Sequence, residues 1–410
     1  MKSGTQGDLS GPVDLRSLGL DGRKLAPRLL VSGLIAVGLA WLAGTQEVRG
    51  AAHFSYAYLL SFCYFVSFSL GALFFVLVQH LTRAGWSVVI RRLAEILAAA
   101  LPYAGLLFVP LAVALLLGSS ALYDWNDPEL LATDAALAKK AVYLNAPFFV
   151  IRSVFYFAVW SGLAWYFFRQ STRQDATGDP RLTLSLQRWS APGLVAFAVT
   201  VCFASFDWLM SLDPHWVSTI FGVYFFAGCV VGVFALLVIV VFLAQQRGAF
   251  ERTVTVEHYH DLGKQLFGYV FFWGYIAFSQ YLLIWYANLP EETRWLVVRQ
   301  SHGWQWIGLL LLFGNLLLPF LGLLSRHVRR NRAWLTGWAV FLLVMHWVDL
   351  YWLVMPVFDE RYLTFGWVDA LCLIGVGSLY LAAVVHVATG PSLVPTRDPR
   401  LNESLAFHNV

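Results

Sequence analysis

Seven ionisable or strongly polar side chains stand inside long apolar runs or at their rims: Glu95, Arg152, Asp207, Gln280, His346, Asp349 and Asp369. A charged side chain at the centre of a bilayer costs about 2.5–3.5 kcal/mol on insertion scales, so residues of this kind mark proton or ion pathways, or ion pairs that fix helix register. His346 and Asp349 are three residues apart, which puts both on one helix face. An imidazole beside a carboxylate can take up and release protons. Arg152 is the expected counter-charge for that face, because a buried charge needs a partner. Glu95, next to Arg91 and Arg92, reads first as an interfacial salt bridge and second as a proton entry point.

Other chemistries find less support. Cys63, Cys202, Cys229 and Cys372 stand singly in apolar stretches, without the spacing of an iron–sulfur or covalent haem motif. His258, His260 and Asp261 form an HxHD group, but the loop offers no obvious further metal ligand. His346 and His386, the two histidines well inside the apolar runs, differ in depth by about 12 Å at 1.5 Å per residue, too much for bis-histidine haem.

The elements that position these residues follow from composition. The chain has 410 residues, 59% hydrophobic and 13% charged, with a mean hydropathy of +0.65. A soluble globule carries about 25% charged residues, so most of this surface faces lipid. The net charge of +4 is too small to argue for nucleic acid. A hydrocarbon core of about 30 Å requires about 20 apolar residues as helix. Ten runs approach that length, at 29–45, 55–80, 96–118, 142–168, 191–210, 218–244, 265–288, 303–324, 334–356 and 368–390. The expectation is an all-α polytopic protein with a tail over residues 1–28, a ten-helix domain over 29–390 and a second tail over 391–410. Counted from the outer ends of the spans, Arg152 and His346 lie roughly 15 Å deep, Gln280 roughly 12 Å and Asp349 roughly 10 Å, with Asp207 and Asp369 within roughly 5 Å.

Of the 28 Lys and Arg, 21 fall in the tails and even-numbered loops, six in the odd-numbered loops, and Arg152 lies inside the fourth span. By the positive-inside rule both termini are cytoplasmic. The outer loops are mildly acidic, with Asp124, Asp127, Glu129 and Asp134 in the third, Glu291 and Glu292 in the seventh, and Asp359 and Glu360 in the ninth. Pro128 and the Ala/Leu-rich stretch after it suggest a surface helix.

Between the fifth and sixth spans stands SFDWLMSLDPHW, from Ser205 to Trp216. Asp213-Pro214 should break the helix, and Trp208 and Trp216 should mark the membrane interface. This string, with HYHDLGKQLFGYVFFWGYIAFSQYLLIWYANLPEET from His258, HWVDLYWLVMP from His346 and VPTRDPRLNESLAF from Val394, resembles the NrfD-like, polysulfide-reductase-membrane-subunit family. The likeness is to its ActF-type branch, the second NrfD-like subunit of bacterial alternative complex III, and covers nearly the whole chain after about residue 50.

That resemblance implies two four-helix bundles with two peripheral helices, in the bacterial inner membrane. It further implies a quinol:electron-acceptor oxidoreductase complex, with haem c and iron–sulfur clusters in partner chains and no redox cofactor bound by this one. The partners would be a sister NrfD-like membrane subunit, an iron–sulfur subunit, a multihaem cytochrome c subunit and small membrane subunits. A contact with the quinone or menaquinone pool, or with membrane lipid, is compatible with it. By resemblance a proton-pathway role falls on Asp207, His346 and Asp349, while Arg152, Gln280, Asp369 and Glu95 join them on depth. A secondary transporter and a structural scaffold without proton transfer remain as rival readings.

Overall fold

The structure, a computed structural model, describes residues 13–46 and 50–409. Ten helices in it are long and apolar enough to cross a membrane, and no strand occurs among the described residues. We number them α1 (Gly22–Thr45), α2 (Gly50–Leu81), α3 (Val88–Leu116), α4 (Ala146–Thr177), α5 (Pro180–Leu212), α6 (Phe221–Gln246), α7 (Val256–Ala287), α8 (Trp304–Leu324), α9 (Arg332–Phe358) and α10 (Trp367–Ala388). The protein is a multi-pass membrane protein of the all-α class. Of the basic residues counted above, Lys2 and Arg49 lie outside the described residues.

Each expected run has its helix, but several helices extend beyond it. The first begins at Gly22, where Asp21 accepts from the Arg23 amide, rather than at residue 29. The third begins at Val88 rather than 96, and so takes in Arg91, Arg92 and Glu95. Hydropathy marks only the stretch in hydrocarbon, whereas a helix continues wherever its backbone hydrogen bonds do. The α3 helix is interrupted at Ala100, where Pro102 opens a new helical segment without an amide donor. The third loop contains two short surface helices, Pro128–Thr133 and Ala135–Lys140, separated by Asp134, which N-caps the second.

Contacts group α2–α5 into one four-helix bundle and α6–α9 into another, joined chiefly where α2 meets α6. The α1 and α10 helices pair with each other and dock on α2 from outside. Buried on almost every side, α2 and α6 form the spine, while α7 turns Phe271, Tyr275, Phe278 and Leu282 outward at helical spacing. Apolar tails are as greasy as leucine, so helices in lipid associate through close van der Waals packing at small residues. Gly71 of α2 meets α6 this way, since a Cβ there would come within 2.3 Å of the Cys229 carbonyl oxygen. Gly33 and Gly375 make a comparable crossing between α1 and α10.

The described parts of both tails lie on one end of the bundles, where the Leu393 amide donates to the Val13 carbonyl at 2.6 Å. The C-terminal tail continues across that end. Ser404 donates to the Trp86 carbonyl at 2.6 Å, and Asn409 accepts from Lys264 at 2.8 Å.

Replacing Gly71 by leucine should force α2 and α6 apart, an overpacking cost of at least about 1–3 kcal/mol. A thermal scan in detergent should show a clear fall in midpoint for Gly71→Leu and none for Gly38→Leu, whose Cβ would meet open space. Equal midpoints would remove the crossing from the account of stability.

Candidate functional site

The buried polar residues separate into distinct centres rather than one. In the first bundle, Arg152 of α4 forms a two-pronged ion pair with Asp207 of α5, Nε to Oδ2 at 2.8 Å and Nη2 to Oδ1 at 2.9 Å. Tyr156, one turn on from Arg152, donates to the same carboxylate at 2.7 Å. The remaining prong donates to the Tyr143 carbonyl at 2.9 Å, and the rings of Tyr143 and Phe148 cover the guanidinium. Burial, with the Asp207 charge adding to it, pushes the Tyr143 phenol up to about 12, so this outer cover stays neutral. The Arg152 side chain is therefore not the partner of His346 and Asp349. Asp207, on the neighbouring helix, holds it through a planar two-pronged pair.

The SFDWLMSLDPHW segment fits around this pair. Helical structure in α5 ends at Trp208 and a short turn over Met210–Leu212 follows. Ser211 Oγ donates to the Asp207 carbonyl at 2.5 Å and Tyr123 to that of Trp208 at 3.0 Å, which satisfies carbonyls at the helix end. Trp208 and Trp216 do not mark the lipid interface, since both are buried. The Trp208 indole donates to Ser153 Oγ at 3.1 Å, and Trp216 stacks on Trp295 at 4.3 Å between ring centres. Interior ring partners for both, and an interior acceptor for the Trp208 N–H, outweigh the usual headgroup preference.

In the second bundle, Asp349 of α9 accepts from the Tyr224 hydroxyl of α6 and from the Trp273 indole of α7, the latter at 3.1 Å. No Lys or Arg bonds it among the described residues. His346, one turn away, is 2.9 Å from Ser67 Oγ through Nε2 and lies beside the Tyr64 and Phe68 rings. The Ser67 hydroxyl also donates to the Tyr64 carbonyl at 2.6 Å. Its oxygen is then left to accept from the imidazole, which places a hydrogen on Nε2. A Cβ on Gly228 would lie 3.1 Å from His346 Nδ1 and 3.9 Å from Asp349 Oδ2, so the two groups face one notch in α6. Helix spacing brought these two together as expected.

Elsewhere, Asp369 Oδ2 is 3.0 Å from His53 Nε2 and accepts from the Gly366 amide at 2.9 Å, so it ties α10 to α2 and caps its own helix. Gln280 accepts from Ser218 at 3.3 Å and joins neither centre. Glu95 accepts from Arg91 at 3.2 Å and from Arg92 at 2.8 Å, the salt bridge expected of it. The network then extends further than expected, with Arg92 reaching Asp175 at 2.8 Å and Arg91 pairing with Asp398 of the C-terminal tail. His258 N-caps α7 with Thr255, and Asp261 pairs with Lys264. No group of three metal-ligating side chains occurs among the described residues. Asn315 is buried in a π turn of α8 and its Oδ1 lacks a donor.

Several contributors escaped the sequence reading. Tyr156 was discoverable, four residues from Arg152 on the same helix face. Tyr224, Trp273 and Ser67 lie on other helices and carry no local signal. His53 falls just before the expected start of its span. Arg299 counted only as a loop charge, yet it is buried and donates to the carbonyls of Trp352 at 3.2 Å, Leu353 at 2.7 Å and Trp295 at 3.2 Å. Pro356 has no amide to give the Trp352 carbonyl four residues back, so Arg299 supplies the missing donor.

Against protein-family models and curated proteins, the sequence matches none.

Arg152→Gln should leave Asp207 as a buried, uncompensated carboxylate and cost about 3–5 kcal/mol. Arg152→Gln with Asp207→Asn should recover much of that in the same thermal scan. A double variant no more stable than Arg152→Gln would show that the pair contributes nothing as a pair.

Proposed function

We propose that this chain is the non-haem membrane subunit of a respiratory quinol:electron-acceptor oxidoreductase of the NrfD-like kind, and that Asp349 with His346 holds and passes protons. Partner subunits with iron–sulfur clusters and haem c would carry the electrons to cytochrome c or another acceptor. The membrane would be the bacterial inner membrane, with the tails in the cytoplasm.

One observation carries the proton role. Asp349 lies inside a spanning helix, and two neutral hydrogen bonds hold it where the corresponding acid of the other bundle, Asp207, has an arginine. A carboxyl group of that kind can gain or lose a proton without breaking an ion pair. His346 adds a second exchangeable site on the same face, with its Nδ1 edge at the Gly228 notch. Asp207 and Glu95 are each tied to arginine, and we assign them to holding helices in register. The family reading is supported by the motif stretches and by the arrangement of two bundles with two outer helices. Orientation is supported by the uneven distribution of Lys and Arg.

In vesicles containing the purified assembly, Asp349→Asn should leave subunit composition intact and lower the protons moved per electron. An unchanged ratio would sink the relay and favour a scaffold. Purification of the chain as a lone protein, without haem c chains, would sink the complex. For orientation, cysteines placed at the exposed Thr177 and Thr133 should react with an impermeant maleimide from the cytoplasm and from outside respectively, and the reverse pattern would invert the assignment.

A further inference from the structure

At the end of α4 nearest the tails, Trp165, Tyr166, Arg169, Gln170 and Arg173 line a cavity of about 220 Å³. Arg169 and Arg173 are one turn apart on one helix face and both are exposed. Among the described residues neither guanidinium has a hydrogen bond or ion pair to protein, in contrast to the arginines at the same end in the Glu95 network. Arg169 lies over the Trp165 ring at 4.9 Å, which aims it without neutralising it. The Gln170 side-chain oxygen is shielded from solvent and has no donor among the described residues. Tyr166 is pinned at 2.8 Å to Ser185 of α5, so this wall of the cavity is fixed.

Depth selects the ligand. The outward-facing apolar residues of α4 run from Phe148 through Ile151, Val154 and Phe155 to Trp165, seventeen residues or roughly 26 Å at 1.5 Å each, close to the thickness of a hydrocarbon core, and Arg169 lies one turn beyond them. Arg169 therefore reaches headgroup level and Arg173 lies one turn further into it, while the Trp165 ring remains at the boundary. The volume is below the roughly 300 Å³ of ordinary small-molecule pockets, too small for a redox ring system and suited to a phosphate with its glycerol. Two forked cations one turn apart match phosphate oxygens, and basic pockets at this level bind anionic headgroups.

We propose that this notch binds the phosphodiester of an anionic phospholipid, with Arg169 and Arg173 on the phosphate oxygens and the Gln170 amide as a third polar contact.

The test uses the full chain in non-ionic detergent, with native mass spectrometry as readout and phosphatidylglycerol, phosphatidylcholine and inorganic phosphate as probes. The expected result is one retained phosphatidylglycerol per chain, at least tenfold weaker in Arg169→Gln/Arg173→Gln and largely restored in Arg169→Lys/Arg173→Lys. The control Arg252→Gln/Arg326→Gln, which removes two exposed arginines from the same end, should leave binding unchanged. Equal loss in the control, or equal retention of phosphatidylcholine, would overturn the site as mere surface charge or acyl-chain adhesion. Millimolar inorganic phosphate that displaces the lipid and binds in its place would overturn the lipid assignment. Among the described residues the two guanidinium groups make no hydrogen bond or ion pair, and Arg169 has only its ring contact with Trp165, so a monodisperse variant with an unchanged thermal midpoint is expected alongside.

Discussion

A charge inside a membrane protein has no water to fall back on, and this constraint governs how the ten helices fit together. The buried ion pairs tie separate elements together: Arg152 is answered by Asp207 of the next helix, Asp369 by His53 of α2, and Glu95 by two arginines of its own helix that reach on to α4 and the tail. Breaking one partner costs more than the pair contributes, because a lone buried ion is so unfavourable. The pairs therefore act less as glue than as a filter against wrong packings, since a register slip on either helix would strand a charge.

Glycine crossings make such pairing geometrically possible. Gly71 lets the spine helices touch backbone to backbone, and Gly228 lets the His346 ring lie against α6. The two bundles then make an informative comparison. Asp207 and Asp349 each stand on the last helix of a bundle and seven residues before a proline, Pro214 and Pro356. The first acid received an arginine from its neighbour. The second received a phenol and an indole. Equivalent places in the helix count thus carry a fixed charge in one half and an exchangeable proton in the other.

Much of this was legible in the sequence. The ten helices and the place of the polar residues along them follow from hydropathy and helical periodicity, because every backbone bond of a spanning helix is local. The pairing of His346 with Asp349, and of Glu95 with Arg91 and Arg92, followed for the same reason. Partnerships between helices did not. Arg152 was assigned to the wrong acid because depth fixes height along the membrane normal and says nothing about azimuth. Trp208 and Trp216 were placed at the interface because composition cannot distinguish an indole packed inside on other rings from one facing headgroups. Arg299 was missed because its partners are carbonyls, which every residue has.

The arrangement of the C-terminal tail bears on how the protein is made. Translation runs from the amino end, so Arg91 leaves the ribosome hundreds of residues ahead of Asp398, its partner in the finished fold. Until that late segment arrives, the nascent third helix has one cation short of an acid, with Glu95 shared between two arginines. Closure of the network is thereby deferred until the segment around Asp398 has been made, 307 residues after Arg91, and the early helix stays one partner short in the meantime.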